Sequence, residues 1–185
     1  AGNAFVKSAW RKKGWIAFLQ NDTLQYRRCM KQVLSLGNML TDDDRQAQLE
    51  AQSSRTPNAA LLKARLLHDG GAFEQSNSIV SAPNLHLRDS HDAAEFWYRM
   101  GRNFQGLKQV DQALHCFKKA IETGKKLNEY FAASAALQCG FIYEQRNDGE
   151  AKVYYNMVMK FPDHPYKKSL DAKAGASLKR LKIKN

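Results

Sequence analysis

The sequence contains few residues that interrupt regular structure and none of the motifs by which common enzymes are recognised. Its 185 residues include four prolines and eleven glycines, and its polar stretches are brief, which argues against long disordered regions. It lacks a glycine-rich dinucleotide fingerprint, a phosphate-binding loop, an HExxH motif, a GxSxG motif and a paired CxxC. No pattern proposes catalysis, so we expect neither an enzyme nor a bound cofactor.

Long apolar runs are also missing, since none approaches the roughly 20 residues that a membrane-spanning helix needs. Residues 1–7 show neither an initiator Met nor the apolar stretch of a signal peptide, and they lead directly into a helical pattern. We interpret the chain as a fragment of a longer protein or a processed chain. A cytoplasmic location is slightly favoured, and a periplasmic or cell-envelope location stays open because a parent protein can carry a signal peptide.

Cysteine is scarce and scattered. Cys29, Cys116 and Cys139 lie far apart in helical patterns, and their number is odd. This argues against a disulfide framework and predicts three small, buried side chains.

Acidic residues are scarce at the two ends of the chain. Residues 1–31 hold seven Lys or Arg against one Asp, and residues 167–185 hold the same, so each end carries a net charge of +6. The middle of the chain has a net charge of −1, although the whole chain is at +11. A uniformly basic nucleic-acid binder would not show this distribution.

Helical periodicity dominates what is present, and we identify no convincing alternating strand. The clearest unit covers residues 94–124, where large and small side chains alternate at fixed spacing. Its members are Trp97, Gly101, Phe104, Ala113, Phe117 and Ala120. Two antiparallel helices approach closely only where side chains are small, and aromatic side chains then fill the neighbouring gaps. The pattern resembles the tetratricopeptide (TPR) repeat, a pair of antiparallel helices.

The same spacing recurs more weakly near residues 7–34, 57–83 and 133–161. Between the first two repeats, Thr41 followed by three Asp residues predicts an inserted helix near 41–53. After the last repeat, residues 167–182 combine an apolar face with a Lys-rich face, which predicts a capping helix. We therefore expect an all-α, TPR-like α-solenoid of about four helical hairpins, forming a single domain over residues 1–185.

A narrower resemblance links residues 58–76, 130–144 and 166–170 to the C-terminal TPR region of larger, poorly characterised bacterial proteins. It implies a scaffolding or interaction role and brings no catalytic residues. The TPR resemblance further implies that certain first-helix positions line an inner groove that binds a peptide or protein partner. These positions hold Arg11, Trp15, Leu61, Arg65, His68, Tyr98, Arg102 and Phe141.

The mixture of Arg, aromatic and aliphatic groups at these positions is typical of peptide-binding grooves. Arg65 and Arg102 suit a partner that carries an acidic group beside an apolar anchor. The alternative is that these are solvated helix faces, or faces covered by the rest of a parent protein.

The basic ends of the chain are a second candidate binding surface. They could dock on nucleic acid or an anionic lipid surface, although no recognition motif accompanies them.

One loop contains plausible metal ligands within seven residues, namely His86, Asp89, His91 and Asp92. Such residues also collect in turns. We favour a polar loop with Asp92 as the cap of the following helix, and we expect no metal.

Overall fold

The structure, a computed structural model, describes residues 3–53 and 55–183, with only the backbone described for Ile183. In these ranges every regular element is a helix, which confirms the all-α class. The chain divides into two compact units, residues 1–62 and 63–185, and helix α4 (Ala59–Asp69) crosses the division. A single domain over residues 1–185 stays a prediction.

The helices coincide with the segments that the sequence predicts. Residues 7–34 and 41–53 correspond to α1 (Val6–Leu19), α2 (Thr23–Ser35) and α3 (Asp42–Gln52). The later repeats correspond to α4 with α5 (Phe73–Val80), α6 (Ser90–Gly106) with α7 (Val110–Gly124), and α8 (Phe131–Gln145) with α9 (Glu150–Lys160). The predicted capping helix is α10 (Lys167–Ile183). None of the helices in the described ranges has both the length and the apolar character to cross a bilayer.

In the first unit, α1 and α2 pack at a glycine. A Cβ atom added to Gly14 would lie 2.6 Å from the Met30 terminal methyl carbon and 3.1 Å from Cys29 Cβ. The chain reverses at Asn21, which adopts a left-handed conformation, and the Asp22 carboxylate then caps α2 by accepting a hydrogen bond from the Gln25 backbone N–H. Gly14 therefore marks a point of close approach between the two helices, where Cys29 leaves little room for a side chain and the flexible end of Met30 fills the gap.

Helix α3 packs on this hairpin and contributes a buried carboxylate to it. Asp44 Oδ2 accepts a hydrogen bond from the backbone N–H of Phe5 at 2.9 Å, and Oδ1 accepts one from Ser8 at 3.2 Å. Both donors belong to the start of α1. Asp44, which is part of α3, therefore acts as a cap for the N-terminus of α1. The hydroxyl of Thr41, the N-cap residue of α3, also donates to Asp44 Oδ2 at 2.8 Å.

In the second unit, consecutive helices pack on one another from α5 to α10, and α8 additionally contacts α6 and α10. Helix α8 is the centre of this unit, because ten of its residues are buried and two apolar clusters meet on it. Most of these side chains are small, so α8 can be surrounded by helices on several sides.

Close contacts in the second unit repeat at equivalent positions of each helix pair. A Cβ atom on Gly101 would lie 2.5 Å from Phe117, and one on Gly140 would lie 2.4 Å from Tyr155. In the α4–α5 pair the Ser76 hydroxyl donates a 2.7 Å hydrogen bond to the Ala64 carbonyl. Small residues in the first helix therefore admit a neighbour from the second, as the sequence pattern predicts.

One local prediction is wrong. Helix α6 begins at Ser90, and its cap is Asp89, whose carboxylate accepts hydrogen bonds from the backbone N–H groups of His91 and Asp92. Asp92 instead binds the Arg88 guanidinium, with both carboxylate oxygens at 2.8 Å. Either of two aspartates three residues apart can cap a helix. Here Asp92 is held in the ion pair with Arg88, so Asp89 is the cap.

Candidate partner-binding surface

The eight residues predicted to line a groove differ in their exposure. Arg65, Arg102 and Phe141 are partly exposed, and all three belong to the second unit. The other five are buried, namely Arg11, Trp15, Leu61, His68 and Tyr98. A buried side chain cannot contact a partner without rearrangement, so the candidate surface rests on the three that are partly exposed.

Arg11 and Trp15 belong to the interior of the first unit. Arg11 has no exposed surface, its guanidinium lies 4.6 Å from the Trp15 ring centroid, and it forms ion pairs with Asp43 at 3.4 Å and Glu50 at 3.2 Å. Both carboxylates belong to α3. The pairing of a buried cation with carboxylates and an aromatic ring gives these residues a structural role in holding α3 on α1.

Tyr98 lies beneath the surface of the second unit, next to a buried arginine. The Arg99 guanidinium donates to Glu95 at 3.0 Å and to the Tyr130 hydroxyl at 3.2 Å, and it lies 5.6 Å from the Phe131 ring centroid. Burial alone would lower the pKa of Arg99, but Tyr130 and Glu95 raise it above its ordinary value. Arg99 therefore stays charged and ties α6 to the start of α8.

His68 joins α4 to α6. Its Nδ1 lies 2.9 Å from Asn103 Oδ1, and its ring lies 5.0 Å from that of Phe73. Burial lowers the pKa of His68, and the charges of Arg102 and Arg99 lower it further, against the opposing effects of Asn103 and Asp69. The neutral imidazole is the favoured form, and Asn103 is a contact that the sequence pattern did not reveal.

Arg102 is the most available cation of the candidate surface. Among the described residues its guanidinium has one hydrogen-bond partner, the Tyr98 hydroxyl at 3.2 Å from Nη1, and it forms no ion pair. Arg65, in contrast, lies 3.9 Å from the Asp69 carboxylate in the same helix. One turn beyond Arg102, Gln105 donates to Gln138 of α8 at 2.9 Å. This surface therefore runs from α6 onto α8.

The surface ends at a charged contact between α8 and α10. Arg180 donates two hydrogen bonds of 2.7 Å to the Glu144 carboxylate, and the Tyr155 hydroxyl donates a third at 2.6 Å. Phe141 lies one turn before Glu144, and its ring packs 5.8 Å from that of Tyr155. Phe141 is thus a partly exposed aromatic group that packs on Tyr155, one turn before a carboxylate that is paired with Arg180.

A groove of about 560 Å³ lies between α7 and α9, and the sequence pattern did not reveal it. Its base is apolar and its rim carries Lys118, Lys125 and Lys160. A hydrogen bond with Tyr143 raises the pKa of Lys118. The sequence signal for this groove is weak. Lysines and apolar residues alternate at helical spacing on α7 and on α9, which lie some 35 residues apart in the chain.

The other candidate chemistry of the sequence finds little support. No group of three or more His, Cys, Asp or Glu side chains within the described ranges could hold a metal ion. Asp89 and Asp92 are engaged as cap and ion pair, and the absence of a bound metal stays a prediction. All three cysteines are free and buried, as expected, and burial raises the pKa of Cys116 to about 11 and that of Cys139 to about 12.

Comparison with protein-family models, with curated proteins and with solved structures finds no match for this chain.

Proposed function

We propose that the second unit is a TPR-like helical-repeat module that binds a peptide or protein partner on the surface formed by α6 and α8. Within this proposal the hairpins stack as in an α-solenoid. Two observations support the arrangement: from α5 to α10 each helix packs on the next, and the close contacts recur at Gly101 and Gly140. The resemblance of residues 94–124 to the TPR pattern supports it as well.

The observation that carries the binding function is the position of Arg102. Its guanidinium is partly exposed, is held by the Tyr98 hydroxyl, and has no carboxylate partner in the described part of the chain. Phe141 supplies a partly exposed aromatic face on the adjacent helix. An arginine can pair with a carboxylate through two hydrogen bonds, and an aromatic ring can receive an apolar side chain. The partner that fits best is a peptide with an acidic residue close to an apolar one.

A selection from a displayed random-peptide library tests this proposal directly. Peptides retained by the immobilised protein should be enriched in acidic residues next to Leu, Phe or similar side chains. Arg102→Ala and Phe141→Ala should each weaken binding of a selected peptide by about tenfold, the scale of a moderate interface contact. Titration by calorimetry or fluorescence anisotropy measures this change.

The matched control is Lys179→Ala with Lys182→Ala, which removes two exposed charges from α10 and spares the Arg180 contact. Peptide affinity should change by less than twofold. Peptide binding that survives loss of Arg102 and Phe141 but fails in the lysine variant would place the binding site elsewhere and exclude the α6–α8 surface.

A second candidate function is association with nucleic acid or an anionic surface through the first unit. The exposed faces of α1 and α2 support it, because they carry five basic side chains: Lys12, Lys13, Arg27, Arg28 and Lys31. Binding to generic duplex DNA that weakens steeply between 50 and 200 mM salt, on the order of that seen for nonspecific binders, would favour this function. Replacing Arg27, Arg28 and Lys31 with Gln should then abolish it, while Arg102→Ala should have no effect.

A further inference from the structure

The groove between α7 and α9 has an apolar base made from both helices. Ile121 contributes from α7, Tyr154 and Met157 contribute from α9, and Phe161 closes one end. The first three side chains are partly exposed, and Phe161 is buried. Tyr154 is fixed by stacking on Tyr143, with ring centroids 5.3 Å apart and planes within 14°. The base is therefore an accessible apolar surface with a defined shape.

The rim of the groove is positively charged. Lys118, Lys125 and Lys160 are exposed, and within the described residues none of them forms an ion pair. The fourth charged residue at the groove is Glu122, which is paired with Lys119 at 3.3 Å. Three ammonium groups without carboxylate partners give the rim a net positive potential, which attracts anionic groups.

We infer that this groove is a second docking site, which binds an acidic amphipathic helix of a protein partner. Apolar side chains of that helix pack on Ile121, Tyr154 and Met157, and its flanking carboxylates meet the three lysines. A groove walled by two helices suits a third helix that presents its apolar face. Methionine adapts its shape to different side chains, so Met157 suits such a contact.

The shape of the groove favours a helix over a free anionic amphiphile. Sites for small ligands enclose most of the ligand surface, whereas this groove is open to solvent. The site is distinct from the surface on α6 and α8 that carries the proposed function, because its side chains belong to α7, to α9 and to the residue that follows each of these helices. The two sites can therefore be tested independently.

Methionine-methyl NMR can observe the groove selectively. The chain has five Met residues, and Met157 is the one that lines the groove. Its ¹³C-methyl signal is assigned with Met157→Leu. The probe is a designed helical peptide with Leu at positions i, i+3, i+4 and i+7 and Glu on both flanks. A saturable shift of the Met157 signal, with little change at Met30, is the expected result.

Two charge-matched variants identify the source of affinity. Lys125→Gln with Lys160→Gln removes two rim charges and should raise the Kd of the acidic peptide about tenfold at low salt. Lys152→Gln with Lys173→Gln removes two exposed charges outside the groove, one from α9 and one from α10, and should change the Kd less than twofold. Circular dichroism melts of both variants should match the parent, because all four lysines are exposed.

Four results would overturn the inference. They are an unmoved Met157 signal, equal binding of a peptide with Lys in place of Glu, equal losses in the two lysine variants, and a Met157 shift produced only by phosphatidylglycerol vesicles. Arg102→Ala should leave this binding intact. A loss in that variant would assign the peptide to the α6–α8 surface instead, so failure of either site is recognised separately.

Discussion

The ring of Phe117 occupies the space that a side chain on Gly101 would need, since a Cβ atom there would lie 2.5 Å from Phe117 Cδ1. Phe117 has no exposed surface, so it cannot move aside into solvent. The separation of α6 and α7 is therefore determined by the glycine, and the same relationship holds between Gly140 and Tyr155.

Gly101→Ala should destabilise the second unit. Overpacking of a tight core costs about 1–3 kcal/mol, which exceeds the gain of up to about 1 kcal/mol that alanine brings to a helix. The control is Gly175→Ala in α10, where an added Cβ would meet no heavy atom within 4 Å. This change should raise the free energy of unfolding by about 0.5–1 kcal/mol. Urea unfolding monitored by circular dichroism measures the free energy of unfolding of both variants. Equal changes in Gly101→Ala and Gly175→Ala would mean that the α6–α7 contact is looser than described.

Asp44→Asn should destabilise the first unit by about 1–2 kcal/mol, because a charged acceptor is removed from the start of α1. Burial raises the pKa of Asp44, but hydrogen bonds from Phe5, Thr41 and Ser8 outweigh it, and the net pKa is lowered. A lowered folded-state pKa gives stability that is present above the unfolded pKa of about 3.9 and is lost as pH falls through the folded value. Fluorescence of Trp10 and Trp15, the two tryptophans that remain in a Trp97→Phe background, reports on this unit. An asparagine variant with the same acid sensitivity as the parent would contradict the assignment.

His68 predicts a pH dependence of the second unit. Its folded pKa lies below the ordinary value of 6.5, mainly because of burial. The unfolded chain then binds the proton more readily, so stability is complete above about pH 6.5 and declines as pH falls toward the folded value. The slope is at most about 1.4 kcal/mol per pH unit. Thermal melts of the parent and His68→Gln between pH 5 and 7.5 measure it, and an unchanged slope in the variant would show that another group is responsible.

The thiols should react slowly with a disulfide reagent in the native protein and rapidly in denaturant. Cys29, Cys116 and Cys139 are buried, and burial raises the pKa of the last two, which lowers the thiolate fraction at neutral pH. The time course of thionitrobenzoate release, with and without urea, measures the difference. Rapid release of all three thiols from the folded protein would be incompatible with their positions in the helix interfaces.

The helices were predictable because their signals are local. The alternation of small and large residues in 94–124 reflects the contact between two neighbouring helices, and that contact is present at Gly101 and Phe117. The inserted helix near 41–53 was signalled by Thr41, which is its N-cap. Capping and periodicity depend on residues within a few turns of one another, so one sequence is sufficient to read them.

The candidate surface was less predictable because burial depends on distant residues. Arg11 is buried against the carboxylates of Asp43 and Glu50, which lie 32 and 39 residues further along the chain. Both belong to the inserted helix α3, which is not part of the repeat pattern. Similarly, His68 is buried beside Asn103 of the next helix pair. The groove between α7 and α9 combines Lys125 with Lys160, and no local pattern links them. Packing between residues that are far apart in the chain thus decides which side chains stay exposed to a partner.

The polar contacts that join α4 to α6 and α6 to α8 are neutral or buried. His68 contacts Asn103, Gln105 contacts Gln138, and the buried Arg99 guanidinium contacts the Tyr130 hydroxyl. Salt screens interactions between exposed charges but leaves neutral hydrogen bonds and apolar packing largely intact. Raising the ionic strength should therefore release an anionic partner from Arg102 or from the lysine rim while the helices stay assembled. Elution of a bound partner by salt therefore measures the charge contacts of recognition while the protein remains folded.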